Sequence, residues 1–392
     1  MSRYFRALRN AFIRECGRFA TSCIYRLVGL WLPLVSFVFF AAFFSKGEMR
    51  NLPVAIIDED STPLSRRAVA MLDATEEIAV LCELQSRDEA EQMLRQGDIY
   101  AVIFLPRNFE NDILALRGST VELYNSGVNI SANGLVSRGA TMAVRTLSAG
   151  TTIAIAERSG ASIEAAMALA QPIALSQHAL FNPWLNYGYY LAGGFMSMML
   201  VIFCVVATIY ALGSELRNAT AVEWFNSSGG SLSAAIVGKL SFVSLLMCCI
   251  AAVMLATMFY IVGVPLQGSA WMVVAATAVL IFSYEAVAFT TLVATANMRL
   301  ALSLGGGYSV LAFTFSGITF PTMAMYDSVA WLSPLFPYTH YMRLVIDQTM
   351  RGASADISLP QIAYMALFWL LPIAVMGRSA TIFRNSKYTK RL

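Results

Sequence analysis

Six apolar runs in this 392-residue chain, each long enough to cross about 30 Å of hydrocarbon, constrain its fold more than any other feature. Only 13% of the residues are charged, whereas soluble domains carry about 25%. We therefore predict a polytopic α-helical membrane protein with six transmembrane helices. The predicted spans are residues 27–44, 191–212, 240–262, 271–294, 300–318 and 359–376.

The basic residues beside the first and last runs predict how the chain crosses the membrane. Residues 1–26 hold six arginines and one acid, and residues 378–392 hold five basic residues and no acid. Because lysine and arginine accumulate on the cytoplasmic side, both termini are expected in the cytoplasm. We expect 1–26 to form an amphipathic interfacial helix whose arginines face anionic lipid, and 378–392 to be a basic cytoplasmic tail.

Residues 45–188 lie between the first two spans and must then be outside the cell membrane. They carry 17 acidic and 11 basic residues. Short β-rich runs such as "VAIIDE" alternate there with amphipathic helical stretches such as "RDEAEQMLRQG". This alternation predicts an inserted extracytoplasmic α/β domain with a partly parallel sheet. An alanine-rich stretch from residue 129 to about 170 predicts one or two further long helices.

Residues 189–377 contain the second to sixth predicted spans and one irregular segment. Residues 319–350 are too apolar for a free loop, and Pro321, Pro334 and Pro337 break them too often for a single crossing. Irregular backbone at membrane depth is tolerated only where it is buried in protein or faces water. We predict that this segment forms short re-entrant helices on the outer side.

Several motifs along the chain resemble those of one family. They are "LPVAIIDEDSTPLSRR", "FNPWLNYGYYLAGG", "SELRNATAVEW", "VGKL" and "SGITFPTMAM". In this order, and with this topology, they resemble the ABC-2 type permeases, which are bacterial export subunits with six spans and a large external domain after the first. The resemblance covers nearly the whole chain.

The resemblance implies that residues 214–238 include a cytoplasmic coupling helix that docks into a separate ATP-binding subunit. A tryptophan anchor and exposed charges would set affinity and register there, although an ordinary solvated loop remains an alternative. The sequence departs from the family pattern at Asn218-Ala219-Thr220, which puts the docking geometry in question, and at Ala192-Gly193, where the family has Pro-Gly. The predicted docking residues are Glu215, Arg217, Thr220, Glu223, Trp224 and Phe225.

The chain itself has no recognisable nucleotide or catalytic motif. The nearest phosphate-binding pattern, "SAAIVGKLS", lacks the first glycine and has Leu240 after Lys239. His178 and His340 belong to no metal-ligand spacing or nucleophile motif. We therefore expect no catalytic residues, no metal and no cofactor in this chain. ATP and Mg²⁺ are expected in the partner ATPase.

A substrate pathway is expected where two permease subunits, identical or homologous, meet. Small residues favour close helix approach in membranes, and Gly193, Gly194, Gly305, Gly306 and Gly307 are candidates for such contacts. Flexible methionine and flat aromatic side chains suit lipophilic cargo. The predicted lining residues are Phe195, Met199, Phe203, Phe313 and Phe315.

Glu285 is an acid near the middle of the fourth predicted span. A charge at that depth costs roughly 2.5 to 3.5 kcal/mol on insertion scales. Glu285 is therefore expected to face the bundle interior or a wet cavity, or to be protonated. It could couple transport to protons, contact a cationic substrate group, or hydrogen-bond to a Ser or Tyr of a neighbouring helix.

The sequence as a whole predicts an export permease of the bacterial inner membrane, moving a drug-like compound or lipid outward with ATP hydrolysed by partner subunits. A periplasmic adaptor is a further candidate partner, and no nucleic acid is expected. One alternative is a non-transporting scaffold or surface receptor that acts through the external domain. Another is a proton-coupled transporter that uses Glu285.

Overall fold

The computed structural model describes residues 2–47, 49–158, 160, 180–182 and 186–384. The chain divides into two compact units, one formed by Met1–Gly47 with Ala179–Leu392 and the other by Glu48–His178. The described residues are mostly helical.

The first unit begins with two helices, α1 (Ser2–Thr21) and α2 (Cys23–Phe43). Ser22 separates them, and its hydroxyl accepts a hydrogen bond from the Tyr25 amide, which caps the start of α2. On α1 the buried residues Ala7, Ala11 and Glu15 recur every four positions, so they line one face of the helix.

The second unit contains a four-stranded sheet in the order β2-β1-β3-β4. β1 runs parallel to β2 and β3, and β4 runs antiparallel to β3. Helices follow each strand, and buried side chains from them cover both faces of the sheet. The elements are β1 (Leu52–Asp58), α3 (Pro63–Asp73), β2 (Ile78–Glu83), α4 (Arg87–Gln96), β3 (Ala101–Leu105), α5 (Phe109–Leu114), β4 (Glu122–Asn125) and α6 (Ile130–Arg158).

α6 accounts for the first part of the helical stretch predicted from residue 129 to about 170, and residues 159 and 161–170 of that prediction lie outside the described residues. The remainder of the first unit is helical. Its elements are α7 (Gly188–Arg217), α8 (Ala221–Ser227), α9 (Leu232–Ile261), α10 (Ala270–Thr295), α11 (Met298–Phe315), α12 (Pro337–Ile346) and α13 (Ala355–Arg384).

Within the described residues, five helices are long and apolar enough to cross a membrane: α2, α7, α9, α10 and α13. Five of the six predicted spans lie inside them to within one residue. The predicted span 300–318 coincides largely with α11, which has only 18 residues and contains Arg299 and three consecutive glycines. α11 does not belong to the five, so a sixth span stays a prediction.

α7 and α10 lie at the centre of the first unit. Their most apolar windows are 61% and 67% buried, against 22% for α2 and 6% for α13. Glycines allow close contact: a Cβ added to Gly305 would lie 2.7 Å from a side chain of α7, and Gly193 and Gly194 are also crowded. Nothing lies within 4 Å of the equivalent positions on Gly306 and Gly307. Close packing is thus confirmed for the first three glycines and not for the last two.

The segment predicted to be re-entrant contains short helical turns followed by α12. The turns span Thr322–Ala324, Asp327–Ala330 and Ser333–Leu335. α12 is almost entirely buried, and its Tyr338 hydroxyl donates a 2.6 Å hydrogen bond to the carbonyl of Gly194 on α7. The backbone is therefore broken, but only α12 is covered by protein, whereas residues 319–332 are mostly exposed. Re-entry of this segment into the membrane stays a prediction.

Candidate functional site

The polar segment 213–230 folds as a tight connection between α7 and α9. α7 ends at Arg217, and Ala219 adopts a left-handed backbone conformation with φ of 60°. The seven-residue helix α8 follows, then Gly229 and Gly230 at positive φ. Ser231 caps α9 by accepting a hydrogen bond from the Ala234 amide. The predicted coupling range 214–238 is thus the end of α7, the short α8 and the start of α9.

Glu215 lies at the end of α7 and is completely buried. Arg14 of α1 donates to both of its carboxylate oxygens, at 2.5 and 3.2 Å. Arg18 of α1 donates to Oε1 at 2.8 Å, and the Thr220 hydroxyl donates to Oε2. The carboxylate therefore receives hydrogen bonds from α1 and from the residue before α8, as a buried charge requires.

Lys239 completes this cluster from α9 and is also fully buried. Its ammonium donates to Glu215 Oε1 over 2.6 Å and to the Ala211 carbonyl over 3.0 Å. It also lies 2.8 Å from Glu15 Oε2 of α1. We call Arg14, Glu15, Arg18, Glu215 and Lys239 the charge cluster.

The charge cluster joins three helices through charges that are largely removed from water. Glu15, Glu215 and Lys239 have no exposed side-chain surface, and the arginines are 22% exposed. Removing one partner of such a buried pair typically costs about 3 to 5 kcal/mol, because the other charge is left without compensation. The cluster therefore fixes the positions of α1, α7 and α9 relative to one another at the 213–230 segment.

α1 also packs closely on the first turns of α9. A Cβ added to Gly238 would lie only 2.6 Å from the Leu8 carbonyl oxygen and 2.8 Å from the Ala11 side chain. Phe12 contacts Phe242 edge-on, with ring centroids 5.7 Å apart. Small residues thus permit the backbone approach that brings the acids and bases of the charge cluster into contact.

The contacts of Arg14, Arg18 and Trp224 correct two expectations. We expected the arginines of residues 1–26 to face anionic lipid. Arg3, Arg6, Arg9 and Arg26 are exposed, but Arg14 and Arg18 turn inward to Glu215. We expected Trp224 to be an exposed anchor, but its side chain is fully buried. The reason is an internal partner in both cases: Glu215 attracts the arginines, and the Trp224 ring lies 4.7 Å from Lys239 Nζ and edge-on to Phe383 at 5.4 Å.

The exposed surface of the segment belongs to other residues. Arg217 and Glu223, both predicted docking residues, are exposed, as are Asn218, Val222 and Asn226. The remaining predicted docking residues have internal roles. Thr220 is half-buried and bonded to Glu215, and half-buried Phe225 lies 4.9 Å beneath the Arg384 guanidinium.

The predicted substrate-pathway residues do not form a single group. The rings of Phe195 and Phe313 lie 4.9 Å apart, and Phe40 of α2 stacks on Phe195 at 5.1 Å. Phe315 instead stacks on Phe336 at 5.5 Å. Met199 and Phe203 lie along α7 and are half-buried. Among the predicted lining residues, the rings of Phe195 and Phe313 are in contact, whereas Phe315 packs elsewhere.

Glu285 is 4% exposed and lies on α10. Ser244 of α9 donates a 2.6 Å hydrogen bond to its Oε2, while Oε1 has no hydrogen-bond partner among the described residues. Glu285 lines a cavity of about 430 Å³ between α9, α10 and α13. None of the predicted aromatic and methionine lining residues borders this cavity.

The sequence analysis missed the charge cluster as a unit. Two signals point to it: Lys239 is the single charged residue in the apolar α9, and Glu15 is the single acid among six arginines in residues 1–26. A lysine within an apolar helix requires a carboxylate partner, and a lone acid in a basic helix is a candidate to supply one. The partner from α7, 24 residues before Lys239, could not be chosen without the fold.

Residues 25–377 match the family model described as ABC-2 family transporter protein. The comparison with curated proteins finds no match.

Proposed function

Because the chain belongs to the ABC-2 transporter family, we propose that it is the permease subunit of a bacterial inner-membrane exporter, driven by ATP hydrolysis in separate cytoplasmic subunits. Members of the family are the membrane components of transporters. ATP and Mg²⁺ would be bound by the partner ATPase. The lysine and arginine bias of residues 1–26 and 378–392 supports cytoplasmic termini. In this topology α11 is the fifth of six spans, residues 45–188 are periplasmic, and the segment 213–230 is cytoplasmic.

The charge cluster is the observation that carries this proposal. It joins the end of α7, which leads into the short α8, to α1 and α9 through Glu215 and Lys239, whose side chains are completely buried. Thr220, the residue before α8, is hydrogen-bonded to the same Glu215. A displacement of α8 by a docked ATPase would therefore move α1 and the start of α9 with it. Nucleotide binding in the partner would then bias two arrangements of the helices, one open to each side.

The docking face in this proposal is the exposed part of the segment rather than its tryptophan. Arg217 and Glu223 supply charge and Val222 supplies an apolar contact, and all three are exposed. Charged groups at the rim of an interface set association rate and register more than affinity. Trp224 holds the buried face of α8 in place by packing on Lys239 and Phe383.

The cargo in this proposal is lipophilic, either a drug-like compound or a lipid. The aromatic group of Phe40, Phe195 and Phe313 offers flat apolar surface for it beside α11. α11 also bears the exposed Leu300, Leu304 and Leu311, which would meet a second permease subunit. A periplasmic adaptor could contact residues 48–178.

The test is purification of the tagged protein from its native membranes, with measurement of Mg²⁺-dependent ATP hydrolysis in the eluate. Wild type is expected to retain a vanadate-sensitive ATPase. For Glu223→Lys, the rate of ATP hydrolysis per mole of permease is expected to be at least tenfold lower than for wild type. Glu91→Lys is the matched control, because it reverses another exposed acid, on α4, and should retain the ATPase.

Two outcomes would contradict the proposal. ATPase absent from the wild-type eluate would favour a scaffold or receptor. Transport abolished by a proton uncoupler and insensitive to vanadate would favour a proton-coupled transporter that uses Glu285.

A further inference from the structure

The cavity beside Glu285 opens on the surface of the helical unit. Its rim carries Val237 of α9, Phe282 of α10, and Trp369 and Met376 of α13, each about two-fifths exposed. The volume of about 430 Å³ falls in the range of about 300 to 1,000 Å³ found for small-molecule sites. A molecule dissolved in the membrane could therefore reach this cavity from the side.

The walls of the cavity are apolar except at one place. Leu240, Phe289 and Pro372 contribute hydrocarbon surface, while Glu285 with its hydrogen-bonded partner Ser244 supplies the polar group. Among the described lining residues, Ser241 is the single further side chain with a hydroxyl group, and its hydroxyl already donates to the Val237 carbonyl at 2.7 Å. The site thus combines an apolar body with a single acid.

Glu285, which lines this cavity, has one buried carboxyl oxygen, Oε1, whose partner is unexplained. The side chain is 4% exposed, and no hydrogen-bond donor reaches Oε1 within the described part of the chain. Leaving a buried carboxyl oxygen without a partner costs free energy that a bound donor or cation would recover. None of the described residues that line the cavity is basic, so a cation beside Glu285 would be supplied by a bound molecule.

We propose that this cavity binds lipophilic monocations, with apolar groups against α9, α10 and α13 and the positive centre beside Glu285. Phe282 and Phe289 also line the cavity, and the faces of aromatic rings attract positive charge. The cavity reaches Ser244, about 18 Å along α9 from its first residue at a rise of about 1.5 Å per residue. It therefore extends from near the 213–230 segment into the middle of the bundle.

That the bound cation is cargo rests on the proposed export function, whereas binding itself does not. The cavity lies on the side of α10 that meets α9 and α13, separate from the Phe195–Phe313 pair. A cation would be taken from the leaflet nearest the 213–230 segment, which is the cytoplasmic leaflet in the proposed topology.

The test is equilibrium binding of radiolabelled tetraphenylphosphonium to the full-length protein in nanodiscs of uncharged phosphatidylcholine, without nucleotide. Tetraphenylborate is the matched probe, because it has the same four phenyl groups and the opposite charge. Wild type is expected to bind the cation and not the anion. Glu285→Gln is expected to weaken cation binding at least tenfold, and Val237→Trp, which fills the mouth but keeps the acid, should weaken it as much.

Asp356→Asn is the control variant, since it removes an exposed acid at the start of α13 and should leave cation binding unchanged. Equal affinity of wild type for the two probes, or unchanged cation affinity in either cavity variant, would overturn the proposal. If Glu285→Gln does not fold, Val237→Trp still decides. Because the assay contains no nucleotide, its result is independent of whether an ATPase co-purifies.

Discussion

Lys239 Nζ lies 2.6 Å from Glu215 Oε1, so that the last turn of α7 and the first turns of α9 are joined inside the protein behind the loop that connects them. α1 is drawn into the same contact through Arg14 and Arg18. The loop 213–230 therefore has little freedom to move without these helices. A force applied to α8 is expected to reach two helices of the bundle rather than to be absorbed in a flexible connection.

The charge cluster predicts strong coupling between Lys239 and Glu215. Lys239→Met should destabilise the protein by about 3 to 5 kcal/mol, because Glu15 and Glu215 lose their shared buried cation. Glu215→Gln should be similarly harmful, since Arg14, Arg18 and Lys239 would then face one another without their central anion. The double variant should be less destabilised than the sum of the two single effects. Melting temperatures of the detergent-solubilised protein measure all three.

Arg95→Ala is the control for these variants. Arg95 pairs with Glu91 on α4 at 2.6 Å, but the two side chains are 78% and 61% exposed. An exposed pair of this kind contributes about 0.5 kcal/mol or less. Additive effects in the double variant, or an equal loss for Arg95→Ala, would show that the charge cluster does not hold the helices together.

Gly238 predicts how closely α1 must lie on α9. Gly238→Leu would place atoms on the Leu8 carbonyl, which is 2.6 Å from the position of a Cβ, and α1 should be displaced. Cys16 of α1 reports the displacement, because burial raises the pKa of its thiol. When α1 leaves α9, that pKa should fall toward its ordinary value and more thiolate should form near neutral pH. Maleimide labelling of Cys16 should become faster.

Gly17→Ala is the matched control for Gly238→Leu, because Gly17 lies on α1 beside the reporter Cys16. Nothing lies within 4 Å of a Cβ at Gly17, and alanine favours a helix over glycine by about 1 kcal/mol. Labelling of Cys16 should therefore stay slow in this variant. The comparison requires a background in which Cys16 is the single cysteine. Unchanged labelling in Gly238→Leu would contradict the close packing of α1.

The helical elements could be predicted from the sequence because apolar length and period are local properties. Five predicted spans coincide with helices that the structure makes long and apolar enough to cross a membrane. The short β-rich runs coincide with β1 to β4, and the pattern of residues 52–125 predicts their alternation with helices. The family resemblance was also confirmed by the match over residues 25–377.

The internal role of Trp224 could not be predicted, because it depends on contacts between residues far apart in the chain. The polar composition of residues 213–230 suggested a solvent-facing surface, and a tryptophan there suggested an anchor. Lys239 is 15 positions away and Phe383 is much further, yet both meet its ring. Composition indicates that a segment is polar, but it does not say which side chains turn inward.

Trp224 consequently predicts a loss of stability rather than a loss of docking contacts. Trp224→Ala should cost about 3 to 5 kcal/mol, since it leaves a large cavity against Lys239 and Phe383. Trp224→Phe should cost much less, because it keeps a ring and because the indole N–H has no hydrogen-bond partner among the described residues. Thermal unfolding followed by size-exclusion chromatography separates the two. Equal stability of Trp224→Ala and wild type would contradict the buried position.

The exposed face of α11 predicts the arrangement of two permease copies. Leu300, Leu304, Gly307 and Leu311 follow one another at steps of four, three and four residues, which places them on one face. The three leucines are each about half exposed, and Gly307 has open space beside it. A residue near a two-fold axis meets its own copy, so Gly307→Cys is expected to form an intermolecular disulfide on mild oxidation.

Leu245→Cys, on the exposed side of α9, is the control variant, and it should remain monomeric on a non-reducing gel. All six native cysteines must first be replaced in both variants. Dimer bands of equal strength for both variants, or no dimer band for Gly307→Cys, would exclude α11 as the contact between identical copies.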